Sequence, residues 1–464
     1  MAHVPAELAT YLHSHADECL ADLVEFLAIP SISTLPAHRP DMERALEFLA
    51  VKLRAMGMEH VQRLLPPQRP QGAPLLYADW LHVPDAPTVL FYGHYDVQPP
   101  DPLHEWVSPP FEPTVRDGNL YARGAADDKG QVMAQLKAVQ AWMHTASRVP
   151  VNVKFLIEGE EEVGGESVDL YVRQNHEALA CDCVVVCDTA MFAADIPSLD
   201  VGLRGMVYTE VTMSGAARDL HSGLYGGVAP NPFEALARVI SGLKSSEGKI
   251  LIPGFYDRVR SPLAEELASW KRLPFDETAY REQELGASAL VGEPGYSVQE
   301  RTWARPALDV HGMPGGFTGP GSKTVIPAQV SAKISMRLVP DQRPQEAFEQ
   351  FAGVVQRLTP PGFRVQVKLL SAAEPILVDV ENRYMRAAAS ALQHTFGAPA
   401  VFVRSGGSIP VVALFDGELK VPTIMMGFGL PDDGLHSPNE KFSVANFYAG
   451  IRVLAEFLAE VGSG

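Results

Sequence analysis

An α/β fold is predicted: a mostly parallel central sheet covered by helices, with a smaller α+β sandwich inserted into it. Three observations predict it. Short, apolar, β-rich runs occur at residues 74–81, 88–92, 151–157 and 183–187, too short for helices. Helix-like stretches at 130–146 and 166–175 separate the last three, and strands alternating with helices make parallel neighbours. After residue 203 the texture changes to an alternating strand pattern with its own helices, which marks a second domain.

In chain order, apolar residues recur at helical spacing over 6–27 and 41–56, the second run ending at Gly57 as a C-cap. The four strands and two helices named above complete the first part. Residues 206–213 alternate as a strand, 232–243 read as a helix, and 305–322 are dense in Gly and Pro. A strand at 324–338, a helix at 345–358 and a strand at 364–370 suit a small α+β sandwich. The chain returns with a helix at 381–395, strands at 400–404 and 421–427, and a helix at 444–461. This places one domain at residues 1–203 and 375–464, and an inserted one at 204–374.

Composition removes several function classes. The chain has 464 residues, enough for a sizeable core without staples. Its 38 Lys+Arg against 56 Asp+Glu leave a net charge of −18, which argues against a nucleic-acid partner. Four Cys cannot form a disulfide framework, the N-terminus lacks a signal-peptide pattern, and no apolar run is long enough to span a membrane. A cytoplasmic protein is expected.

Ligands of open α/β sheets bind beyond the carboxyl ends of the strands. There the sequence places Gly93-His94-Tyr95-Asp96, then Glu158-Gly159-Glu160-Glu161-Glu162, then Asp188. Asp127-Asp128-Lys129-Gly130 precedes a helix, and His436-Ser437-Pro438-Asn439-Glu440 comes late in the chain. Each piece alone has an ordinary reading as a surface pair or helix start. Together, so many carboxylates in one crevice repel one another unless cations sit among them. Two His with several carboxylates form the composition of a metal site.

This ordered set resembles the M20 metallopeptidases, and residues 93–100, 122–130, 219–232, 316–327, 335–340 and 406–410 resemble the dipeptidase/carnosinase branch. The resemblance runs from about residue 20 to the C-terminus. It implies a catalytic domain with two divalent metal ions per subunit, Zn²⁺ first with Mn²⁺ or Co²⁺ as alternatives, and an inserted lid domain that makes a homodimer. It assigns His94 and Asp188 to one metal, His436 and Glu162 to the other, and Asp127 to both. Two such ions about 3.5–4 Å apart share a hydroxide and polarise a scissile carbonyl.

Glu161 is then the general base, with the anchor Glu158-Gly159 setting the count; a slip by one would give these roles to Glu160 and Glu161. Asp96, two residues beyond His94 and on the same side of an extended segment, is expected to orient its imidazole. The resemblance also implies a cis Asp127–Asp128 peptide and a His221 that reaches the partner subunit's site. Thr324 and Arg337 are expected to grip a free carboxylate, and Gly407 and Ser408 to line the substrate. Ser405 and Ser371 depart from the pattern, where many relatives have Glu and some carnosinase-like members His. They bear on selectivity, not on metal chemistry.

Cys181, Cys183 and Cys187 read as strand thiols, and Gly319–Thr324 fails as a phosphate loop because Ser322 splits the Gly-Lys pair. No His-Glu-x-x-His and no Gly-x-Ser-x-Gly occur. The expected function is hydrolysis of dipeptides or short peptides with a free C-terminal carboxylate. The alternatives are an N-acyl-amino-acid deacylase with the same site and, further off, a non-catalytic peptide-binding protein.

Overall fold

The structure is a computed structural model that describes residues 4–463; residues 1–3 of the N-terminal stretch read above lie outside it. The chain forms two compact units. One comprises Met1–Val201, Val378–Val403 and Pro410–Gly464; the other comprises Gly202–Leu377 and Arg404–Ile409. The short segment Arg404–Ile409 lies inside the stretch expected in the first domain, yet groups with the second unit. Its Arg404 pairs with Glu266 at 2.6 Å, and Gly407 accepts a hydrogen bond from the Arg204 N–H at 3.0 Å.

The first unit is built on a sheet in the order Glu59–Leu64, Leu75–Trp80, Asn152–Glu158, Thr88–His94, Cys183–Val186, Thr423–Met425 and Ser198–Leu203. The four strands from Asn152–Glu158 to Thr423–Met425 run parallel, and antiparallel strands flank them on both sides. The parallel strands are nearly continuous apolar runs because helices cover both their faces. The helix Lys129–Ala146 is buried almost all round from Lys129 to Val139, and the Trp142 indole N–H donates to the Ala455 carbonyl of the helix Val444–Ser463 at 3.0 Å. Register aligns His94 with Glu158, so two polar strand ends meet at one edge.

Several expected elements take a different form. The helix expected over 6–27 is two, Ala6–Ser14 and Ala16–Leu27, because His15 leaves the helical region at φ −110°, ψ 16°. The helix Arg39–Ala55 ends as expected, with Gly57 at φ +94°. The strand expected over 324–338 breaks into Val325–Ile326 and Gln329–Leu338 around Pro327, which has no N–H to give a ladder. Ala307–Gly312, inside the Gly/Pro-dense stretch, is a strand.

The second unit has an antiparallel sheet in the order Ala307–Gly312, Gln329–Leu338, Gly205–Ser214 and Arg364–Ala373. Burial alternates along Gly205–Ser214, and Val207, Val211 and Met213 point into a core with Leu236, Val239, Phe351 and Val355 from the helices Pro232–Ser241 and Pro344–Leu358. The four cysteines are free thiols, three of them buried. Among the described residues, no helix is long and apolar enough to cross a membrane.

Candidate metal centre

The loops after the parallel strands bring His94, Asp127, Asp188, Glu162 and His436 together. His94 ends the strand Thr88–His94, Asp127 precedes the helix Lys129–Ala146, and Asp188 follows the strand Cys183–Val186. Asp127 is central. Its Oδ1 lies 3.1 Å from His94 Nε2, and its Oδ2 lies 3.0 Å from His436 Nε2. His94 Nε2 is 3.8 Å from Asp188 Oδ2, and His436 Nε2 is 3.3 Å from Glu162 Oε2. Two ligand triads thus share one carboxylate, and in each triad the ligand atoms lie within 4.8 Å of one another.

Hydrogen bonding at His94 tests whether a cation fits. Its Nδ1 faces only acceptors, the Asp96 carbonyl at 3.0 Å and Asp96 Oδ1 at 3.3 Å, so Nδ1 carries the proton. The buried Nε2 has no hydrogen-bond partner among the described residues, and its lone pair faces two carboxylates. Lone pairs aimed at one another across about 3 Å are repulsive unless a positive charge stands between them. The donor set, one imidazole and one terminal carboxylate on each side of a shared carboxylate, suits two borderline divalent ions. The residues fit the metals.

With no ion in place, the electrostatics show the same demand for positive charge between these groups, met here by protons. Burial opposes charge on His94, but Asp127 and Asp96 outweigh it and raise its pKa well above the usual value. Burial likewise opposes charge on Asp127, yet His436 and His94 hold it well below the carboxylate range. Burial, with Asp127 adding, pushes Asp188 up to about 7, and burial pushes Glu158 up to about 8 against the Tyr92 hydroxyl that bonds it. Asp127 and Glu162 raise His436 to about 10.

The acidic run sorts itself by partner. Glu160 accepts from Arg69 Nη2 at 3.0 Å, from the Ala73 N–H at 2.9 Å and from the Ser167 N–H at 3.2 Å, so it is a structural group. Glu162 faces His436 and accepts from Gln98 Nε2 at 2.8 Å. Glu161, between them, has its pKa raised well above the usual value by burial and by Asp188, Glu158 and Glu162, against His94. Asp96 Oδ2 also accepts from the Glu162 N–H at 3.2 Å, tying His94 to the acidic loop. The Asp127–Asp128 peptide is cis. Two glycines of the motifs are required by close approach: a Cβ on Gly93 would lie 2.5 Å from Val132 Cγ2, and one on Gly130 would lie 2.1 Å from the Ala125 carbonyl.

The remaining expected site residues belong to the second unit. His221 Nδ1 accepts from the Gly223 N–H at 3.0 Å, and His221 pairs with Val325 beside Thr324. Arg337 Nη1 donates to Ser408 Oγ at 2.9 Å, and the Gly407 N–H donates to Ser405 Oγ at 3.1 Å. Three supporting residues carried no assigned role in the sequence. Gln98 has no spacing signal; Glu440 closes the His436 motif, and Arg123 opens the Asp127 loop.

A model of peptidase family M20/M25/M40 matches residues 90–460. The Beta-Ala-His dipeptidase of Rattus norvegicus is 31% identical, covering 98% of this chain and 95% of its own length. The Cys-Gly metallodipeptidase DUG1 of Candida albicans is 33% identical over 95% of this chain and 94% of its own. The structure of human carnosine dipeptidase 1 superposes with a TM-score of 0.87 at 31% identity, covering 99% of this chain and 100% of that one. That of the dipeptidase Dug1p from Saccharomyces cerevisiae gives 0.88 at 28% identity, covering 100% of both. The candidate ligand triads around Asp127 stand on the scaffold these relatives share, and the match over residues 90–460 names it: the chain belongs to peptidase family M20/M25/M40.

Proposed function

We propose that the chain is a metal-dependent dipeptidase that hydrolyses dipeptides or short peptides with a free C-terminal carboxylate. The observation that carries this is Asp127, whose two oxygens each face one imidazole at about 3 Å. His94, Asp188, Asp127, Glu162 and His436 would hold two divalent cations, which would supply an activated water at neutral pH and polarise the carbonyl. Glu161 takes the proton of the attacking water and passes it to the leaving amine. Asp96 keeps the His94 proton on Nδ1. Arg337, Thr324, Gly407 and Ser408 hold the peptide's terminal carboxylate, and His221 acts on the oxyanion of the partner subunit in a homodimer made by the second unit, which serves as the lid.

The relatives' names favour dipeptides over N-acyl amino acids. Zn²⁺ is the preferred occupant on the mixed imidazole–carboxylate set, with Mn²⁺ or Co²⁺ as substitutes. The four free thiols support a cytoplasmic location, to be checked by cell fractionation.

Metal-stripped protein re-supplied with Zn²⁺ or Mn²⁺ tests the reading. The substrates are Ala-Ala, its C-terminal amide, a tripeptide and N-acetylalanine. Metal-dependent cleavage of Ala-Ala in preference to the amide is expected. Cleavage of N-acetylalanine alone moves the protein to the deacylases, and silence on all four leaves a binding protein.

A further inference from the structure

Arg204 and Arg337 of the second unit converge on one short loop. Arg204 follows the strand Ser198–Leu203 and grips the loop Gly406–Ser408 three times. Its backbone N–H donates to the Gly407 carbonyl at 3.0 Å, its Nε donates to the Gly406 carbonyl at 3.0 Å, and its own carbonyl accepts from the Ser408 hydroxyl. That hydroxyl has one proton, already used on Arg204, so it accepts the bond from Arg337 Nη1 at 2.9 Å. The loop is packed against the guanidinium: a Cβ on Gly406 would lie 2.9 Å from Arg204 Nη2.

Two arginines are thus gathered at one place without a counter-ion. Among the described residues neither forms an ion pair with a carboxylate. Other well-covered arginines do: Arg123 with Glu440 at 2.7 Å, Arg305 with Glu293 at 2.6 Å, and Arg404 with Glu266 at 2.6 Å. Asp309 attracts both Arg204 and Arg337 from a distance, but its Oδ1 lies 3.5 Å from Lys244 Nζ. Burial and the neighbouring Arg337 charge push Arg204 down to about 10. Like charges held together while partly desolvated are unfavourable unless an anion completes the set. A guanidinium fork with no carboxylate partner of its own matches a ligand carboxylate.

We infer that Arg204 is a positioning residue of the subsite for the substrate's terminal carboxylate, clamping the Gly406–Ser408 loop that orients Arg337 and placing a second positive charge beside it. This rests on the dipeptidase reading for its substrate, while the carboxylate seat itself is a property of the second unit. Arg204 shapes where the carboxylate binds and takes no part in bond cleavage.

Metal-loaded Arg204→Gln and Arg204→Lys, compared with wild type, test this. Binding of L-alanine and of L-alaninamide is read by calorimetry, and kcat and KM are read for Ala-Ala and its amide. Wild type is expected to bind alanine more tightly than alaninamide. Arg204→Gln is expected to lose about tenfold of that preference, to raise KM for Ala-Ala about tenfold with kcat within threefold, and to leave the amide's KM unchanged. Arg204→Lys, keeping the charge, should regain at least threefold of the lost preference. Retention of the wild-type preference by Arg204→Gln overturns the inference. So does an equal loss on Ala-Ala and its amide in both variants together with a lowered melting temperature, which marks a purely structural role. Equal binding of alanine and alaninamide by wild type overturns the subsite. Wild type that prefers alanine but cleaves no dipeptide overturns the dipeptidase reading and leaves the subsite standing.

Discussion

Arg123 and Glu440, 317 residues apart in sequence, form a buried ion pair with Nη1 2.7 Å from Oε2. Glu440 also accepts the backbone N–H groups of Gly124 at 2.9 Å, Ala126 at 3.0 Å and Asp127 at 3.1 Å. One carboxylate from the C-terminal segment therefore holds the loop that presents Asp127, the carboxylate common to both candidate triads. The same segment supplies His436 four residues earlier, at φ +59°. The Asp127 loop and the segment carrying His436 are fixed as one piece.

Removing that carboxylate leaves Arg123 buried without its partner and frees three N–H groups. Glu440→Ala is expected to lower stability by about 3–5 kcal/mol, the usual cost of breaking a buried pair. It should also weaken metal retention on dialysis. Urea unfolding and metal analysis read both; a variant within 1 kcal/mol of wild type that keeps its metal removes Glu440 from this role.

Glu161→Gln preserves size and hydrogen bonding while removing the proton acceptor. Both metals are expected to stay, and turnover of Ala-Ala should fall more than a hundredfold. Activity within about tenfold of wild type, a barrier change under about 1.4 kcal/mol, would mean that another group is the base.

His221 belongs to the second unit, and its role is proposed to be across a dimer. His221→Ala should lose activity without losing metal. Co-expressed His221→Ala and Glu161→Gln chains should regain part of the activity, because one of the two sites in a mixed dimer then has both groups. No recovery in isolated mixed dimers would place the whole site within one chain.

Asp200, on the strand Ser198–Leu203, is buried, and burial pushes its pKa up to about 7 despite a bond from the hydroxyl of Thr189, the residue after Asp188. In the unfolded chain it titrates near about 3.9. The folded state therefore binds the extra proton between these values, and its contribution is complete at low pH and lost as pH rises through about 7. Asp200→Asn should flatten the fall in stability between about pH 4 and 7, by an amount on the order of 4 kcal/mol. Denaturant unfolding of wild type and variant at pH 5, 6 and 7 checks it: parallel curves would show that Asp200 is not charged on this path.

The sequence by itself determined the parallel centre of the sheet and the kinds of residue at its carboxyl ends. Apolar runs of five to seven residues between helical stretches have few other ways to bury themselves, and polar ends follow from alternation of strand and loop. Motif order then allowed His94, Asp127, Glu162, Asp188 and His436 to be named before any geometry was known. The break at His15, the strand Ala307–Gly312 and the strand ending at Ile326 were not legible. Local patterns there are outweighed by one off-helix residue, by pairing across the sheet and by a proline. Only the tertiary structure shows which partners two of the three successive glutamates meet. Their composition is identical, and their partners, Arg69 for Glu160 and His436 with Gln98 for Glu162, come from distant segments. It also decided that Arg204, Ser408 and Arg337 meet, because contacts across 71 and 204 residues leave no trace in local spacing.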